Sequence, residues 1–138
     1  MIHPAIVMDL LEGELVVARE AHGRRLHSLE RIGTDIFCIL TENDVDAGVV
    51  LRFDGARYDA EPLGLSVVDE HGNRLTQDRW PAGLVHGEHT TLKRPFACIR
   101  GCAEYHQFPG HTGDPWDHHR STLRFTNLLA HVLKKVNR

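Results

Sequence analysis

Between Arg94 and Arg120 the chain reads RPFACIRGCAEYHQFPGHTGDPWDHHR, and no long helix or strand can run through it. Pro95, Pro109 and Pro115 remove backbone donors, while Gly101, Gly110 and Gly113 loosen the chain between them. The same stretch gathers Cys98, Cys102, Glu104, His106, His111, His118 and His119. A fold built from this chain must therefore hold a turn-rich segment in place by side-chain contacts or by a bound group. Thiolate, imidazole and carboxylate are the side chains that bind zinc, and close spacing around turns lets them converge on one point.

The rest of the chain sets the frame. At 138 residues and 41% hydrophobic, it suits one domain with a single core, residues 1–138. A formal charge of −3, with Lys and Arg scattered among acids, argues against a nucleic-acid partner held through phosphates. No apolar run reaches the roughly 18 residues of a membrane span, so no membrane partner is expected. Asp9 and Glu12 come too early for a secretory leader, and three cysteines fit a reducing cytoplasm better than a disulfide framework.

From Pro4 to Ala21, Ile6, Val7, Leu10, Leu11, Leu15 and Ala18 recur on one side of a helix, with Pro4 in its first turn. The segment between Gly23 and Gly33 reads as irregular or as a first short strand. Asp35 to Thr41 and Gly48 to Phe53 are β-rich runs parted by a turn at Glu42-Asn43-Asp44, and Leu63 to Val68 is a further run. Short connections make them an antiparallel meander of three to four strands. Asn73 to Thr112 reads as a long ordered loop, with a short strand at Phe96 to Ile99. Asp114 then predicts the cap of a last helix, with Pro115 at its first position and Trp116, Leu123, Phe125, Leu128, Leu129, Val132, Leu133 and Val136 at helical intervals. The fold class is α+β: helix, meander, ligand-rich loop, helix.

Within the loop, Cys98, Glu104, His106 and His111 give C-x5-E-x-H-x4-H, a donor set able to surround zinc. Glu104 and His106, two apart, would point the same way on an extended segment, and Pro109-Gly110 could turn His111 back toward them. Cys102 in place of Glu104 gives a C-x3-C…H-x4-H set that is chemically just as plausible, with Glu104 then orienting a histidine. Spacing does not choose between the two. His118 and His119, on the first turns of the last helix, and His86 with His89, as H-x2-H, are further candidates. Cys38, inside DIFCILT, reads as core; His22, His27, His71 and His131 read as polar surface; Trp80 and Trp116 read as core pieces or lids on the loop.

The stretch PFACIRGCAEYHQFPGHTGDPWDHHR resembles the signature of a bacterial predicted metal-binding family named for its Cys-Glu-His-His ligands. Genes of that family neighbour ubiquitin-like modifiers and their activating, conjugating and peptidase proteins. The resemblance covers about Pro95 to Arg120. It implies zinc held by Cys98, Glu104, His106 and His111, and partners among ubiquitin-like modifiers or their activating and conjugating proteins. The element order is similar to the ubiquitin-conjugating-enzyme fold. Phe53 to Pro62 resembles its Tyr-Pro-x-x-Pro-Pro turn, and Phe96-Ala97-Cys98-Ile99 stands at the place of its active-site cysteine. The His-Pro-Asn tripeptide that precedes that cysteine has no counterpart here.

Three functions follow as expectations. The first is a zinc-binding accessory or interaction module of a bacterial ubiquitin-like pathway. The second is a thioester carrier using Cys98 or Cys102, which needs a free thiolate. The third is a zinc hydrolase in which Glu104 acts as general base beside a metal-bound water.

Overall fold

The computed structural model describes residues 3–41 and 45–136. Helix α1, Pro4–His22, starts where expected: Pro4 takes the first position and the His3 Nδ1 accepts from the Ala5 amide at 3.1 Å. Its buried face is Val7, Leu11, Leu15 and Ala18. Ile6, which the periodicity places on that face, is instead 62% exposed, one residue off the buried stripe.

Four strands follow, β1 Leu26–Ile32, β2 Asp35–Leu40, β3 Val50–Asp54 and β4 Gly64–Val68, in one antiparallel meander of order β1-β2-β3-β4. The segment from Gly23 is thus a 3-10 turn, Gly23–Arg25, followed by a seven-residue strand whose register shifts between Leu26 and Ser28, and a tight turn at Gly33, whose φ is 62°, joins it to β2. The expected turn at Glu42-Asn43-Asp44 lies outside the described residues. Period-two alternation sends Ile36, Cys38 and Leu40 of β2, Leu51 and Phe53 of β3, and Leu65 and Val67 of β4 into the core. Helices α1 and α3 close that core, with Phe125 of α3 edge-on to Phe53 at 5.1 Å between ring centroids.

Beyond β4 the chain runs back along the strand it has just left. Leu75 N–H donates to Val67 O at 2.9 Å and Ala103 N–H to Leu63 O at 2.8 Å, so the edge of β4 is occupied. The expected long loop contains a two-stranded ribbon, β5 Gly87–Glu88 with β6 Pro95–Phe96, and one helical turn, α2 Ala103–His106. Trp80 and Trp116 are buried as core pieces, their indole N–H groups donating to Leu75 O and Asp59 O.

The last helix differs from its expected start. Trp116–His118 form only a 3-10 turn, and α3 spans Phe125–Val136. Asp114 does not cap it, because its carboxylate is taken by Tyr105, Arg100 and His119, two of them capable of positive charge. The cap comes from another element: the Glu14 carboxylate of α1 accepts from Phe125 N at 2.7 Å, and Asn127 Oδ1 accepts from Arg124 N at 2.8 Å. Six side chains of α3, from Phe125 to Val136, are buried.

Candidate functional site

The turn-rich segment is braced by polar side chains that bond backbone and one another. At its centre the Asp114 carboxylate meets His119 Nε2 at 2.5 Å through Oδ1, and Tyr105 OH at 2.5 Å and Arg100 Nε at 2.8 Å through Oδ2. Hydrogen bonds from His119, Tyr105 and Arg100 hold its carboxyl well below the usual range. Gly101 N–H donates to His106 Nε2 at 3.1 Å, which leaves the proton on Nδ1 to donate to Asp114 O at 2.8 Å. Both nitrogens of the neutral ring are thereby used, and burial lowers its pKa in keeping with that form. Gly101 itself has φ 103°, a conformation that side chains disfavour, so a glycine at 101 is what lets its N–H face the imidazole.

His111 stacks on Tyr105 with ring centroids 3.9 Å apart, and its Nδ1 donates to Tyr105 O at 3.0 Å. That bond leaves Nε2 with its lone pair, the arrangement found in histidines that bind metals. His89, a candidate from its H-x2-H spacing, is fully buried and fully used: Nε2 donates to Glu104 O, and Nδ1 accepts from the Thr91 and Leu92 amides. It is a staple between the ribbon and α2. His86 packs edge-on to Phe96, and His118 is exposed.

Glu104 is 4% exposed, accepting from Leu65 N at 2.9 Å and lying 3.5 Å from Arg94. Burial raises its pKa, while the Leu65 amide and Arg94 oppose the rise. It shares one helical turn with His106, and residues two apart on a helix point to different sides. The extended geometry that would aim both at one point is therefore absent. Glu104 turns to β4 and His106 to the Asp114 cluster.

Of the cysteines, Cys38 is core, as expected, its pKa pushed up to about 12 by burial. Cys102 is fully buried; its pKa is raised by burial and then by the nearby charges of Glu104 and Cys98. Cys98 is half-buried and free. Among the described residues no three His, Cys, Asp or Glu side chains form a group that could hold a metal ion. Cys98, Glu104, His106 and His111 thus lie on one segment without being drawn to one centre. Asp114, Arg94 and His89, which organise the segment, were missed as organisers because their partners are backbone atoms or residues whose approach depends on the turns between them.

Fold and site together define an α+β domain in which a braced, cysteine- and histidine-bearing segment lies along the edge of a four-stranded antiparallel sheet. Residues 84–138 match the family model described as Y4jH-like, Y4jH family, a region that contains Cys98, Glu104, His106, His111, Asp114 and α3. A protein of Sinorhizobium fredii (strain NBRC 101917 / NGR234), carrying the name "Uncharacterized protein y4jH", is 44% identical in a match covering 64% of this chain and 56% of that protein. The chain therefore spans a little over half the length of the relative it matches. No helix among the described residues is long and apolar enough to cross a membrane.

Proposed function

We propose that this chain is a zinc-binding accessory module that serves a ubiquitin-like modifier pathway through protein contacts. The density of thiol, carboxylate and imidazole donors between Cys98 and His111 carries the metal part of this reading, although among the described residues no three of them yet form a metal-holding group. The Cys102 thiol is wholly buried, with Cys98 and Glu104 near enough for their charges to raise its pKa. Groups that become anionic on deprotonation repel one another out of water, and a dication among them reverses that effect. His111, with Nε2 open, offers an imidazole in a suitable tautomer. Bound zinc would supply a fixed cross-link to a segment that has little regular structure. Coordination by the whole set of Cys98, Glu104, His106 and His111 requires Glu104 to leave Leu65 N and His106 to leave Gly101 N. The pathway part rests on the resemblance at Pro95 to Arg120, and the order helix, meander, cysteine-bearing segment, helix agrees with it.

Metal analysis of the purified protein by mass spectrometry tests the reading. About one zinc per chain is expected, lost in Cys98→Ala and in Cys102→Ala. Loss in Glu104→Gln, His106→Ala and His111→Ala as well would add those three to the sulfur ligands, and a metal-free parent protein would sink the proposal.

One feature favours a second reading, a thioester carrier at Cys98. This half-buried thiol lines a cavity of about 270 Å³ together with Arg100, His131, Lys134 and Lys135. Cations beside a thiol favour the thiolate and attract a carboxylate. Lys135 acts in that direction on Cys98, although burial outweighs it and the pKa stays raised. Iodoacetamide should then label Cys98 in the folded protein and spare the buried Cys38 and Cys102. A modifier adduct cleaved by reductant and absent from Cys98→Ser would mark the carrier. Equal labelling of all three thiols would remove its basis.

A further inference from the structure

The sheet has a second face, turned away from α1 and α3. Because Leu51, Phe53, Leu65 and Val67 point into the core, Arg52, Asp54, Gly64 and Ser66 point outward, with Arg52 directly opposite Ser66 and Asp54 opposite Gly64. A cavity of about 250 Å³ opens over these positions, walled by Arg57, Arg74, Arg94, Glu104 and Gln107. Gly64 keeps the wall close: a Cβ there would stand 3.3 Å from Glu104 Oε2.

Four arginines border this space, and three have an acid. Arg52 NH2 lies 2.9 Å from Asp35, Arg57 lies 3.5 Å from Glu61, and Arg94 lies 3.5 Å from Glu104. Arg74 has neither an ion pair nor a side-chain hydrogen bond among the described residues. Burial, followed by the fields of Arg94 and Arg52, lowers its pKa, while the fields of Glu104 and Asp54 oppose the fall. Three carboxylates share the lining, Glu61 and Glu104 beside their arginines and Asp54 accepting from Ala56 N at 3.1 Å, while Ser66 and Gln107 supply groups that can donate. Ser66 is 8% exposed, and neither its hydroxyl nor the Gln107 amide has a partner among the described residues. Arg94, at 3.5 Å from its carboxylate, retains further N–H groups.

We infer that this outer-face cavity is an oxyanion site, in which Arg74, Arg94, Ser66 and Gln107 take a carboxylate or phosphate group. Guanidinium forks match the planar carboxylate and the phosphate edge, and partial enclosure strengthens each charge-assisted bond. The volume suits one charged group of a ligand or a chain end, since sites for whole drug-sized molecules start at roughly 300 Å³. Glu104 positions Arg94 and closes the floor. The site requires neither a metal nor a thiol, but it shares Glu104 with the zinc reading, and its test reads oxyanion binding at Arg74, which is outside the zinc ligand set.

Amide NMR titrations at constant ionic strength test it, one with inorganic phosphate and one with glycylglycine as a source of a chain-end carboxylate, each against sodium chloride. Saturable shifts are expected at Gly64, Leu65, Ser66 and Gln107 in at least one arm. Arg74→Gln should weaken binding about tenfold or more, the effect of losing a charged hydrogen-bond donor, and its unchanged far-UV spectrum would show the fold retained. Saturation with phosphate alone, with the dipeptide alone or with both assigns the ligand class. Non-saturating shifts in both arms, or an Arg74→Gln affinity within twofold of the parent, would overturn the site.

Discussion

Asp114 shows how one side chain can take a role different from the one its neighbours in sequence announce. Next to a proline, it has the signature of a helix cap. In three dimensions it binds Tyr105, Arg100 and His119 from different turns of the braced segment. Its carboxyl is held below the ordinary range, so folding releases protons there. The corresponding stability is complete above the unfolded-state value of about 4 and is lost as pH falls through the lower native value. Urea midpoints should therefore drop on acidification below about pH 4. Asp114→Asn should start from a lower midpoint at pH 7 and decline less steeply. Parallel profiles for parent and variant would remove Asp114 from this role. Asp59 contributes in the same direction: burial works to raise its pKa, but hydrogen bonds from Arg124 and Arg120 keep it low.

At the scale of elements, the decisive contact joins two helices far apart in sequence. Glu14 of α1 accepts from Phe125 N at the start of α3, accepts from Tyr58 OH at 2.8 Å, and pairs with Arg124. Its side chain is 11% exposed, so removal leaves Arg124 and an amide short of a partner in a largely dry place. Glu14→Ala should cost about 3 kcal/mol, as breaking a buried pair does. Glu14→Gln, which retains an acceptor for the cap, should cost roughly 1–2 kcal/mol. Denaturant unfolding of both variants measures this, and a loss below about 0.5 kcal/mol for Glu14→Ala, the range of ordinary surface changes, would mean that α3 begins at Phe125 for some other reason. His22 adds a second link between the helices, its Nε2 donating to Thr126 O at 3.0 Å.

For the whole molecule, the family match and the physical unit have different boundaries. Residues 84–138 carry the matched region, yet their buried groups lean on what precedes them. Phe125 packs on Phe53, Trp116 donates to Asp59 O, Ala103 donates to Leu63 O, and Glu104 accepts from Leu65 N. Core residues from α1, all four strands and α3 form one cluster. A peptide of residues 84–138 alone should accordingly show the narrow amide dispersion of an unfolded chain, while the full chain unfolds in a single cooperative step. A well-dispersed spectrum from the peptide would make the matched region a folding unit of its own.

Much of the architecture could be read from periodicity, because burial along a helix or strand repeats with a period set by local geometry. Val7, Leu11, Leu15 and Ala18, the alternation in β2, and the apolar face from Phe125 to Val136 all follow from that. Identity and spacing also marked out the segment around Cys98 and His111 as the chemically dense part of the chain. Tertiary structure alone decided where each of those side chains turns. One helical turn at Ala103–His106 sends Glu104 to the sheet and His106 to Asp114, and Glu14, far away in the chain, sets where α3 begins. The oxyanion cavity belongs to the same category, since Ser66, Arg74, Arg94 and Gln107 share no local period. They meet only because the chain after β4 folds back beside that strand.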